Sequence, residues 1–219
     1  MDTIFQIFLI LHIVGGAVGL LTGLVNVIRK KGDKNHVRIG KLFFFSMLTA
    51  GLSSLVLSVL NPNYFLFMVG VFTLYMVGTG NRYIQIKMRH QNNQPKRLDW
   101  AISITMLTAG VVFICLGTYS LINANSFGLV FVTFGLVGLL FVRQDFKNYT
   151  GRAEAKNFWL IAHLQRMMGG FIAALTAFLV VNAGHLPSQI PGFLYWLLPT
   201  IIFTPLIVSW SRKYEVKKD

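Results

Sequence analysis

Apolar runs of membrane-spanning length recur along this chain, separated by short connectors that alternate between basic and uncharged. Crossing ~30 Å of hydrocarbon takes roughly 20 helical residues. On that measure the runs predict seven spans, near 4–28, 42–60, 64–86, 99–122, 127–142, 157–182 and 193–211. Every second connector is basic: Arg29 to Lys41, Arg82 to Arg97, Arg143 to Lys156, and Arg212 to Lys218. The connectors between them, Asn61-Pro62-Asn63, Asn123 to Ser126 and Asn182 to Gly192, contain no Lys or Arg. One threading therefore places all twenty basic side chains on one side. Because basic loops are retained in the cytoplasm, it predicts an all-α integral membrane bundle of seven helices, N-terminus outside and C-terminus inside.

Met1-Asp2-Thr3 supplies no positive n-region, so the first apolar run is expected to remain as helix one rather than to be cleaved as a signal peptide. The fifth run is short, and its boundaries are the least defined by pattern. The tight uncharged turns leave no room for an external domain, and residues 1–219 read as one transmembrane domain without an inverted repeat.

Composition agrees: 54% of residues are hydrophobic, 12% are charged, and mean hydropathy is positive. The net charge of +13 would suggest nucleic acid in a soluble protein. Here it follows from topology, so no nucleic-acid partner is expected, and the partners are the lipid bilayer and anionic lipids at the cytoplasmic face. Cys115 is the sole cysteine, which excludes an intrachain disulfide or a cysteine-based metal cluster.

Gly15, Gly19 and Gly23 recur every four residues and predict a smooth packing stripe on helix one. His12 shares an adjoining stripe with Gly16, Gly19 and Gly23, which turns its imidazole toward the protein. His163, Met167, Gly170, Ala174, Ala177 and Val181 repeat the pattern in the sixth span. The remaining polar groups gather at the cytoplasmic end. His36, Arg38, Asn81, Arg82, Asp99, His163, Gln165 and Arg166 lie within about two turns of that boundary, at ~1.5 Å per residue. Arg166, about nine residues inside helix six, needs compensation unless it snorkels; Asp99 is the leading partner and Asp145 the rival. Asp99 alternatively reads as a helix N-terminal anion beside interfacial Trp100, and His90 as a solvated loop residue.

The segments His12-Ile13-Val14-Gly15-Gly16, Lys31-Gly32, His36-Val37-Arg38-Ile39-Gly40-Lys41, Phe43 to Met47, Gly78-Thr79-Gly80-Asn81-Arg82, Asp99-Trp100, His163-Leu164-Gln165-Arg166-Met167 and Thr176 to Asn182 together are similar to a family of predicted bacterial multi-pass membrane proteins defined as a domain of unknown function. The resemblance covers most of the chain and implies bacterial inner-membrane residence and about seven helices. It implies no activity.

The leading functional expectation is a ligand-binding bundle whose His36, Arg82, Asp99, His163 and Arg166 receive an anionic or quinone-like small molecule or lipid, with transport as a possible extension. The alternative is a b-type haem electron-transfer protein with bis-His ligation. His12 lies ~12 Å from the outer boundary and His163 ~9 Å from the inner one, too far apart for one iron. The pairings left are His12 with His185 outside and His36 with His163 inside, each requiring a loop histidine to fold inward. A membrane zinc hydrolase using His36, Asp99 and His163 ranks third, since no local metal spacing supports it.

Overall fold

The computed structural model describes residues 3–88, 94–186, 189 and 191–217. Over these the chain forms seven α-helices: α1 (Thr3–Ile28), α2 (Lys34–Leu60), α3 (Tyr64–Met88), α4 (Arg97–Ile122), α5 (Gly128–Tyr149), α6 (Phe158–Val181) and α7 (Gly192–Tyr214). A 3-10 turn at Ala183–His185 precedes α7, and an isolated antiparallel bridge joins Ala155 to Lys217. All seven helices are long and apolar enough to cross a membrane, as a multi-pass membrane protein requires. Asp2, His90 and Lys218 lie outside the described residues.

Two helices run beyond the apolar stretches that announced them. α2 begins at Lys34 because Gly32, at φ +83°, turns the chain and Asp33 caps the helix, its carboxylate accepting the His36 backbone N–H at 2.6 Å. α5 continues through Arg143-Gln144-Asp145 to Tyr149, so Asp145 sits within a helix rather than in a connector. Its apolar face is maintained by Val142 and Tyr149, both buried.

The helices sort into two compact units. The first contains α1, α2, α3 through Val77, α6 from Leu164, and α7. Its core is Phe43, Met47, Val77, Met168, Phe171 and Phe203. The glycine stripe of α1 is buried as the spacing predicts. A Cβ on Gly15 would meet the Ser46 backbone oxygen at 2.9 Å, and one on Gly19 the Met47 sulfur at 2.5 Å. His12 secures the same α1–α2 contact, its Nδ1 donating to the Ala50 carbonyl at 2.9 Å.

The second unit contains α3 from Gly78, α4, α5, α6 through His163, and the C-terminal bridge strand. α4 and α5 form a hairpin closed by a glycine seam. Gly110 and Gly117 on α4 are seven residues apart, as are Gly128 and Gly135 on α5, so the two pairs meet in antiparallel register. A Cβ on Gly128 would lie 2.4 Å from the Gly117 carbonyl oxygen, and a Cβ on Gly135 2.8 Å from that of Gly110. These neighbours are backbone and cannot rotate aside. Gly128→Ala is therefore expected to destabilise the protein by about 1–3 kcal/mol. Gly16→Ala, where a Cβ meets nothing within 4 Å, should leave unfolding unchanged or slightly harder. Thermal unfolding in mild detergent checks both, and equal melting of the two variants would contradict the seam.

Candidate functional site

The polar groups of the second unit lie where its helices meet their basic connectors. Arg82 sits two turns before the end of α3, and Asp99 is the third residue of α4. The guanidinium grips this carboxylate with two donors, Nε to Oδ1 at 2.5 Å and Nη2 to Oδ2 at 3.1 Å, while Nη1 donates to the Gln85 side-chain oxygen. Asp99 also caps α4, accepting the Lys96 backbone N–H at 2.6 Å. The Asp99 side chain is fully buried and that of Arg82 is 13% exposed, so the pair is largely desolvated. Such a pair resists removal of one partner more than removal of both.

Beside Arg82 on the chain, Tyr83 starts a second network. Its hydroxyl donates to Asp145 Oδ1 at 2.7 Å and accepts from Asn148 Nδ2 at 3.1 Å. Ser103, one turn beyond Asp99, donates to the other Asp145 oxygen at 2.8 Å. Three helices thus converge on one buried carboxylate. Tyr83, Ile86, Tyr149 and Ala162 form a buried hydrophobic cluster, against which Trp100 packs edge-on, its ring centroid 5.2 Å from that of Tyr149. Sequence reading weighed Asp145 only as a rival partner for Arg166 and missed this network. The available signal was spacing: Asp99 and Ser103 stand at i, i+4, and Asp145 and Asn148 at i, i+3, each pair on one helix face.

His163 Nδ1 lies 2.8 Å from the Gly80 carbonyl. A carbonyl only accepts, so Nδ1 carries the proton. His163 is thereby tied to α3 two residues before Arg82. Three of the expected site residues, Arg82, Asp99 and His163, are brought together by this end of α3.

His36 and Arg166 belong to the first unit. Arg166 is fully buried and its guanidinium carbon lies 5.6 Å from the centroid of Tyr75, a cation–π contact. His36 is half-buried, and its backbone carbonyl accepts from Asn26 Nδ2 at 3.3 Å. The adjoining connector is ordered by Lys31, whose ammonium donates to the carbonyls of Asn26 at 2.7 Å and Val27 at 2.6 Å and stands 4.2 Å from the Trp210 ring centroid. It closes the α1 C-terminus, where cations complement the helix dipole. Burial draws the Lys31 pKa down, whereas the His36 N–H bond holds Asp33 below the ordinary carboxylate value. His12 is half-buried and His185 is exposed in the 3-10 turn.

Among the described residues no group of three or more His, Cys, Asp or Glu side chains is placed to hold a metal ion. The fold and site define a helical protein with seven candidate membrane spans and buried ionic groups at the helix ends that adjoin its basic connectors. No protein-family model, curated protein or solved structure matches the chain.

Proposed function

We propose that this chain is a bacterial inner-membrane protein of seven spans, N-terminus outside and C-terminus in the cytoplasm, that binds an anionic or quinone-like amphiphile at a polar site near its cytoplasmic end. The membrane part of this reading is supported by the one-sided Lys and Arg and by outward faces rich in exposed Ile, Leu, Val and Phe, such as Ile4, Ile7, Ile10, Val59, Ile122 and Leu140. The family resemblance of its motifs agrees with both residence and span number.

The binding part rests on one observation, the Arg82–Asp99 pair. A guanidinium kept in a largely dry helix end is a strong receptor for carboxylate, phosphate or carbonyl oxygen, and Asp99 stands in for that anion while the site is empty. Exchange is feasible because Asp99 keeps its bond from the Lys96 N–H when Arg82 turns to a ligand. The prediction is directional. In native mass spectrometry of protein extracted with its membrane lipids, Asp99→Asn should raise the amount of anionic amphiphile that co-purifies per protein and Arg82→Gln should lower it. A wild type that carries no such molecule, or equal retention in both variants, would overturn the reading.

A second reading, haem b, rests on the tautomer of His12 alone, since its expected partner His185 is exposed in the 3-10 turn. Donation from Nδ1 to the Ala50 carbonyl leaves the lone pair on Nε2, as in metal-binding histidines. A reduced-minus-oxidised absorbance spectrum without haem bands would remove it.

A further inference from the structure

One face of α7 presents Thr204, Pro205, Val208, Ser209, Arg212 and Lys213, which line an open groove of about 760 Å³. All six are exposed. Their spacing of i, i+1, i+4, i+5, i+8 and i+9 makes a single stripe, ~14 Å long at ~1.5 Å per residue. The opposite side of the helix faces its own unit, where Phe203 is buried and Trp210 lies under the Lys31 ammonium.

The chemistry of the stripe is graded along its length. Pro205 and Val208 are apolar, Ser209 adds a hydroxyl one turn before the end, and Arg212 and Lys213 close it with two cations in the last turn. No acidic side chain lines it. Pro205 lacks an amide hydrogen, so the Ile201 carbonyl, one turn back on the same exposed side, loses its helical donor and the surface there departs from a regular helix.

We propose that this groove holds an anionic phospholipid, with the phosphate at Arg212 and Lys213, the glycerol ester region at Ser209, and an acyl chain along Val208 and Pro205. Charge complementarity commits the occupant: a cationic end on an apolar track matches a lipid whose charge is negative and whose tail is hydrocarbon. A soluble anion matches only the end of the track. The assignment rests on the membrane reading above but uses a different unit face from the Arg82 site.

The test uses the full chain in nanodiscs containing equal phosphatidylglycerol and phosphatidylcholine, followed by native mass spectrometry after release into detergent. Wild type should retain phosphatidylglycerol roughly thirtyfold over phosphatidylcholine, the size expected for two interfacial cations. Arg212→Gln/Lys213→Gln should erase that preference. Ser209→Trp, which obstructs the groove midway between its apolar and cationic ends and leaves both cations, should erase it too, whereas Lys30→Gln/Arg152→Gln, removing the same charge elsewhere, should keep it. Excess inorganic phosphate should not displace the lipid. Equal loss in both charge-reduced proteins, full retention in Ser209→Trp, or displacement by phosphate would overturn the groove. Incorporation into monodisperse nanodiscs with no lipid preference sinks the groove alone, whereas failure to incorporate sinks the membrane reading.

Discussion

Replacing Arg82 by alanine is expected to cost about 3 kcal/mol, because it takes both guanidinium donors away from the Asp99 carboxylate in a desolvated position. Asp99→Ala should cost less, roughly 1–2 kcal/mol, since the Arg82 side chain retains Gln85 as an acceptor and can extend toward the headgroup region. The double change should fall short of the sum by about 1–3 kcal/mol, the signature of direct contact. Chemical unfolding in detergent micelles supplies all three values. Strict additivity would show that the pair carries no coupling energy.

The second large effect belongs to Asp145. Asp145→Leu removes the acceptor shared by Tyr83 and Ser103 and leaves two buried hydroxyls to find new partners, an expected loss of roughly 2–4 kcal/mol. Asp145→Asn should be milder by about 1–2 kcal/mol, since its amide oxygen still accepts from Tyr83 and the Ser103 hydroxyl can rotate to accept the amide N–H. Tyr83→Phe should then matter less in an Asp145→Leu background than in wild type. Indistinguishable Asn and Leu variants would mean that shape rather than hydrogen bonding holds this end of α5.

The number of helices and most of their limits were legible in the sequence, because a hydrocarbon solvent imposes length and apolarity on every span. The two extensions were not, for opposite reasons. At Lys34 the signal was a local one, an Asp N-cap after a left-handed glycine, which lies beyond the apolar run that hydropathy detects. At Asp145 the helix continues through a carboxylate whose stabilisation is tertiary, supplied by Tyr83 from 62 positions away and Ser103 from 42. The same distinction divides the site. The inward turn of His12 follows from periodicity within one helix, and the need of Arg166 for a setting other than lipid follows from its depth, about nine residues inside helix six. The guanidinium on Asp99 comes from Arg82, a pairing that depends on how α3 and α4 are set side by side, which no spacing within either helix encodes. The α4–α5 glycine seam has only one seven-residue interval on each helix, a weaker pattern than the three glycines at four-residue spacing in α1.

The central claim, a chain threaded through the membrane with every basic connector inside, is tested most directly by reporter fusions. Alkaline phosphatase, active only outside the cytoplasm, should be active when inserted at Pro62 and inactive when fused after Lys217, while a fluorescent protein fused after Lys217 should fluoresce. Phosphatase activity after Lys217 together with none at Pro62 would contradict the account.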